Sequence, residues 1–207
     1  MERNELYPIF LKLHQLNVLI VGGGNVGLEK LSFLLKSSPN ANVEVVAPKF
    51  LPELEELVER HPSVKLTCRK FNRWMLRKRH MVIACTDDLA VNKRIYDLSR
   101  KRYLICNIAD TPTLCDYYLG GIVTKGNVKI AISTNGKSPT TAKRLREFFE
   151  EIIPEDINQM VLNLNEYRKT LKGNFEEKVN KMNEITAALK IPVAPVVGTE
   201  RNIQDGR

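Results

Sequence analysis

The apolar positions in the first half of the chain fall into short unbroken runs separated by helical stripes. Val18 to Val21 is continuous, as in a strand covered on both faces of a parallel sheet. From Val26 the apolar residues recur at Leu28, Leu31, Leu34 and Leu35, close to helical spacing, until Ser37-Ser38-Pro39-Asn40 breaks the pattern. Val43 to Ala47 predicts a second strand, Leu51 to Arg60 a helix with Leu54, Leu57 and Val58 on one face, and Val64 to Thr67 a third, short strand. Met81 to Cys85 predicts a fourth strand, Leu89 to Lys101 a helix preceded by the capping pair Asp87-Asp88, and Leu104 to Cys106 the start of a fifth strand. Strands alternating with helices at this spacing imply right-handed βαβ units and a Rossmann-like parallel sheet, of α/β class, over residues 1–112.

The pattern then changes. Tyr117 to Thr124 and Val128 to Ser133 are strand-like and are separated by Lys125-Gly126-Asn127, a hairpin signal, with Val128, Ile130 and Ile132 on one face. Ser138 and Pro139 open a helix as N-cap and first residue; it carries Leu145, Phe148, Phe149 and Ile152 and ends at Pro154. Helical patterns resume over 155–171 and 175–190, split by Gly173-Asn174. The expected divisions are therefore a Rossmann-like domain over 1–112, a small hairpin-and-helix region over 113–152, a helical C-terminal domain over 153–191 and a flexible tail over 192–207.

The chain has 207 residues, enough for a substantial core, and an ordinary globular composition of 43% hydrophobic and 27% charged residues. It holds no run of eighteen apolar residues, so no membrane span is expected. The polar start Met1-Glu2-Arg3-Asn4-Glu5 is not followed by an apolar signal region, which predicts a cytoplasmic protein. Cys68, Cys85, Cys106 and Cys115 form no CxxC pair, and with His14, His61 and His80 show no metal-ligand spacing, so reduced, buried thiols and no metal site are expected. The net charge of +8 suits a small polyanionic ligand, an anionic surface or nucleic acid equally. The one basic cluster, Arg69 to Arg79, lacks the aromatic interleaving or motif of a nucleic-acid binder, and none is expected.

One stretch needs a chemical reason. Gly22, Gly24 and Gly27 form G-x-G-x-x-G between the first strand and the first helix. In a dinucleotide site the first glycine permits the tight turn, the second lets backbone approach a pyrophosphate, and the third lets helix pack on strand. The helix N-terminus then offers unpaired N–H groups and a positive dipole end to phosphate. An NAD site usually carries an acid at the end of the second strand. Here that strand ends Val46-Ala47-Pro48-Lys49, so the motif leaves NAD and NADP open.

"YPIFLKLHQLNVLIVGGGNVGLEKLSFLL", "VEVVAPKF", "VIACTDD", "CNIADTPTLCDYYLGGIV" and "VKIAISTNGKSPTTAKRLREFFE" together resemble the precorrin-2 dehydrogenase family, whose members occur alone or as the N-terminal module of siroheme synthases. The resemblance runs from about residue 6 to residue 152, and more loosely to about 190. It implies NAD as cofactor and oxidation of the tetrapyrrole precorrin-2 to sirohydrochlorin, with insertion of Fe²⁺ at the same site in some members. It also implies a homodimer in which the 113–150 region is exchanged. Asp110, in the segment Asn107-Ile108-Ala109-Asp110, matches the family's acid/base aspartate. Asn25 and Val26 in the glycine turn, with Pro48 and Lys49 after the second strand, match its dinucleotide contacts. Thr86 lies just past the fourth strand, at the edge where ligands bind in such folds. A serine that can be phosphorylated in some fused siroheme synthases is matched here by Thr134, which puts that regulation in doubt.

The chemistry is coherent with the residues. Oxidation removes a hydride and a proton; a nicotinamide accepts the first and a carboxylate can take the second. Lys137, Lys143, Arg144 and Arg146 are candidates to pair with a polycarboxylate substrate. The alternative reading is a non-catalytic nucleotide-sensing module of a transporter, which would need neither the hairpin nor the aspartate.

Overall fold

The computed structural model describes residues 3–187, so the tail expected over 192–207 and the last residues of the helix expected to reach 190 lie outside the described residues. By internal packing the chain divides into two compact units, one running to Lys125 and resuming over Lys129–Ile153, the other made of Gly126–Val128 and the chain from Pro154 onward.

The first unit is built on five parallel strands: β1 (Val18–Val21), β2 (Val43–Ala47), β3 (Val64–Cys68), β4 (Met81–Ala84) and β5 (Ile105–Ile108), in the order β3-β2-β1-β4-β5. Helices α1 (Asn25–Ser37), α2 (Pro52–Glu59) and α3 (Leu89–Arg100) connect them, while β3 reaches β4 through a 3-10 turn at Arg73–Leu76. Strand period two explains why these runs are apolar throughout. Val18 and Ile20 pack with Leu31, Leu34, Leu54 and Val45 on one side of the sheet. Leu19 and Val21 pack with Val82, Leu76 and Ile95 on the other. Val18 pairs with both Val43 and Met81, and Val21 with both Val46 and Ala84. The strands thus start in line, and their carboxyl ends emerge together along one edge.

Local signals behave as their chemistry requires. Asp88 caps α3, its Oδ1 accepting from the N–H groups of Ala90 at 2.8 Å and Val91 at 3.0 Å. Cys85 and Cys106 are buried, and burial pushes both thiols up to about 12. Cys68 departs from the expected burial: it is exposed at the end of β3, where its thiol donates to the Pro48 carbonyl at 3.2 Å. Among the described residues no helix is long and apolar enough to cross a membrane.

Glu44 of β2 sits partly buried against the Thr67 hydroxyl, which donates to it at 2.6 Å, and against the Arg79 guanidinium. Burial alone raises its pKa, but the Thr67 hydrogen bond and Arg79 outweigh burial and hold the carboxyl below its ordinary range. A carboxyl lowered in the folded state stabilises above the unfolded range and loses that contribution as pH falls through the folded value. Glu44→Gln is therefore expected to lower stability by about 1–2 kcal/mol near neutrality. In thermal melts the gap to the parent should close below the ordinary carboxylate range; a gap that persists there would refute the ionic account.

After β5 the chain forms a two-stranded hairpin, β6 (Gly121–Lys125) and β7 (Val128–Ile132), followed by α4 (Pro139–Ile152). The N-cap is as expected, with Ser138 Oγ accepting from the Thr141 N–H at 3.2 Å. The hairpin starts four residues later than the apolar pattern suggests, because Tyr117 is tied to the parallel sheet instead. The Asn107 amide donates to the Tyr117 carbonyl at 2.8 Å, and the buried Tyr117 hydroxyl donates to the Val82 carbonyl at 3.4 Å. In the second unit, α5 (Ile157–Thr170) and α6 (Phe175–Ile185) follow the expected helical stripes. There Asn158 of α5 accepts from the Asn127 N–H at the hairpin tip at 2.8 Å.

Candidate functional site

The order β3-β2-β1-β4-β5 reverses direction between β1 and β4, and open α/β sheets bind ligands beyond the carboxyl ends at that point. The glycine turn lies there. Gly22 has φ +134, closed to most side chains, and a Cβ on it would fall 2.4 Å from the Cys85 carbonyl oxygen. A Cβ on Gly27 would fall 2.3 Å from the Gly22 carbonyl oxygen, so α1 is seated directly on the turn. Gly24 is different: nothing lies within 4 Å of where its Cβ would be. It is the N-cap of α1, no side chain caps that end, and the first turn holds no acid. Open space before uncapped N–H groups and a positive dipole end is what a phosphate group requires, so these residues fit a dinucleotide.

Asn25 and Val26 open α1, and Pro48 and Lys49 are exposed just past β2. Lys49 also touches the turn through its backbone: a Cβ on Gly23 would fall 2.4 Å from its carbonyl oxygen. Thr86 sits past β4 but is engaged within the chain. Its hydroxyl lies 2.7 Å from Asn92 Oδ1, and the Asn92 amide donates to the Thr86 carbonyl at 2.9 Å. That pairing with a buried asparagine fixes the loop and leaves chiefly lone pairs of the hydroxyl for a ligand.

Past β5, between α1, the hairpin and α4, a cleft of about 500 Å³ opens. Its volume is in the range of small-molecule sites. Asp110, Lys30, Thr134, Lys143 and Arg146 are among its lining residues. Asp110 is held by Ala109 N–H donating to Ala84 at 2.9 Å and Thr111 N–H donating to Ile108 at 3.2 Å. Its backbone is left-handed, φ +57, a conformation aspartate tolerates better than most residues. Its carboxylate makes no hydrogen bond or ion pair among the described residues, so its lone pairs are available to a proton. Asp116, near it in sequence, is otherwise occupied: it accepts from Arg100 at 2.7 Å and from the Cys106 N–H at 2.9 Å.

Of the four basic candidates, Lys143 and Arg146 reach the cleft, and Lys137 and Arg144 do not line it. Arg146 pairs with Glu150, Lys143 lies 3.9 Å from Glu147, and Arg144 donates to Glu147 at 2.8 Å. Such partly solvated pairs are weak, so an incoming polycarboxylate can compete for the cations. Sequence reasoning missed Lys30 and Phe33, both lining the cleft from α1. Lys30 falls three residues after Gly27, one helical turn on, so helical spacing from the glycine motif was the available signal.

The strand order, the turn and the cleft together define a dinucleotide-binding Rossmann protein. Comparison with known proteins narrows this. A family model described as "Putative NAD(P)-binding" matches residues 9–121, and one described as sirohaem biosynthesis protein, central, matches 125–152. A siroheme synthase of Nitrosospira multiformis is 34% identical over 92% of this chain and 40% of its own length. A siroheme synthase of Pseudoalteromonas translucida is 37% identical over 84% of this chain and 34% of its own. A solved structure named SirC, precorrin-2 dehydrogenase, superposes with a TM-score of 0.69 at 26% identity, covering 87% of this chain and 89% of that one. The chain belongs to the family described as putative NAD(P)-binding, whose model spans more than half of it. It spans well under half the length of the siroheme synthases it matches.

Proposed function

We propose that this chain oxidises precorrin-2 to sirohydrochlorin with NAD⁺. The observation that carries the reading is the unpaired carboxylate of Asp110 in a cleft that is also lined by Lys30 and Phe33 of α1, the helix that the glycine turn opens. A nicotinamide bound at the turn supplies the hydride acceptor. Asp110 takes the proton at a carboxylate oxygen, as general base. Lys30, Lys143 and Arg146 hold the carboxylate side chains of the macrocycle by charge-assisted hydrogen bonds. Gly22, Gly24, Asn25, Val26 and Gly27 cradle the pyrophosphate, while Pro48 and Lys49 border the adenosine half; Thr86 shapes the loop between the two ligands. A transporter-sensing module would have no use for a free carboxylate in such a cleft.

The same reading includes a homodimer, the site-bearing region 113–152 contributing the interface. Leu145, Phe148 and Ile152 of α4 are exposed, and of the hairpin only Val123 is fully buried. An amphipathic helix with an uncovered apolar side is consistent with a second copy packing on it. Sedimentation should give twice the mass of the chain.

The experiment is direct. Purified protein with precorrin-2 and NAD⁺ should yield the sirohydrochlorin absorption spectrum. No NAD⁺-dependent product would remove the activity. Subsequent anaerobic addition of Fe²⁺ reads out the second activity, with the protein-free chelation rate as its control.

A further inference from the structure

The loop that carries Asp110 is closed at its neck by a thiol. Cys115 follows the 3-10 turn Pro112–Leu114, and its sulfur reaches back to the end of β5. The Ile108 N–H donates to that sulfur at 3.4 Å, and the Asn107 amide donates to it at 3.4 Å. The thiol in turn faces two carbonyls, Ile108 at 3.2 Å and Thr111 at 3.4 Å. Ile108 precedes Asp110 and Thr111 follows it, so one sulfur bridges the two sides of the loop. A thiol has one proton to give, and the nearer carbonyl is the better acceptor. Burial raises the Cys115 pKa, so that proton stays on the sulfur at neutral pH.

The sulfur is itself held in place. The Asp116 N–H donates to the Cys106 carbonyl at 2.8 Å, and the Asp116 carboxylate accepts from the Cys106 N–H at 2.9 Å. The Tyr117 carbonyl accepts from the Asn107 amide at 2.8 Å. The two residues after Cys115 are thus tied to β5, and the thiol starts from a fixed point. Asp110 is held differently, through its flanking backbone alone. Its φ of +57 is a sparsely populated setting that persists only where the surroundings impose it. Cys115 and Asp110 also line the same cleft.

We infer that Cys115 is a positioning residue for the oxidation: by closing the loop its thiol fixes the Asp110 carboxylate against the bound macrocycle. This assignment rests on Asp110 acting as general base and deepens that reading, since it names what holds the base in place. The sulfur bonds to backbone and to Asn107, and it acts on the reaction through Asp110.

The test compares Cys115→Ala and Cys115→Ser in the full chain, each alone and combined with Asp110→Asn. A reacting group displaced by roughly 1 Å can cost about 10²-fold, so Cys115→Ala should lower kcat by about tenfold to 10²-fold and leave dinucleotide affinity within about twofold. Serine is as small as alanine here but keeps a donor and an acceptor, and should return kcat to within about threefold of the parent. In the Asp110→Asn background Cys115→Ala should change kcat by less than about twofold, because the group it positions no longer takes the proton. If the alanine variant does not fold, Cys115→Val, which refills the volume without a hydrogen bond, should show the same loss. A serine variant no better than alanine would make the residue a packing element and overturn the inference. So would an equal loss with and without Asp110, or a Cys115→Ala that turns over as the parent does. A parent that forms no product with NAD⁺ would instead bring down the activity itself, and an unaffected Asp110→Asn the role of the base, each taking the inference with it.

Discussion

On the proposed function, Asp110→Asn should slow the oxidation of precorrin-2 by about 10²–10⁴-fold, the usual contribution of a positioned general base. The amide keeps the size of the side chain and cannot take the proton. Asparagine also tolerates the left-handed backbone that Asp110 adopts at φ +57, so the loop should keep its shape. Alanine at the same position is a poorer probe, because it adds about 1 kcal/mol or more of backbone strain to the chemical loss. Three measurements check the prediction together: turnover under saturating NAD⁺, dinucleotide affinity and thermal midpoint. The first should collapse while the other two stay close to the parent. Turnover within about threefold of the parent would assign the proton to another group.

The second large effect separates two glycines of one motif. Gly22→Ala should lower stability by about 2–4 kcal/mol, because its Cβ would meet a backbone carbonyl of the neighbouring segment and its φ of +134 excludes most L residues. Gly24→Ala should leave stability within about 0.5 kcal/mol, as the added methyl group meets open space at φ −88. It should nevertheless cost about tenfold or more in dinucleotide affinity, since the methyl group stands where the pyrophosphate approaches. Chemical denaturation and calorimetry read the two quantities separately. A folded Gly22→Ala with normal affinity, or a Gly24→Ala that binds as the parent does, would contradict the division of roles.

Legibility differed from element to element for identifiable reasons. The parallel strands could be read because Val18–Val21 and Met81–Ala84 are buried on both faces and so carry no polar residue. α3 and α4 could be read at their starts because Asp88 and Ser138 are capping residues whose bonds are local. The hairpin start could not be read. Tyr117 looks like strand residue, but its position depends on the Asn107 amide ten residues earlier and on Val82, thirty-five residues away. The burial of Cys68 was misjudged because the short strand β3 lies at the sheet's edge and ends in the open. Among the candidate cations, periodicity alone does not say which side of α4 meets the cleft, so Lys143 and Arg146 could not be told from Arg144.

The amino-acid sequence by itself determined the βαβ alternation, the glycine turn and the presence of an aspartate after the fifth strand, because each rests on propensity, period or backbone freedom within a few residues. Only the tertiary structure decided that Asp110, Lys30 of α1 and Arg146 of α4 border one cleft. That juxtaposition is set by strand order and register, which arise from packing between segments distant along the chain and so leave no local mark in the residues themselves.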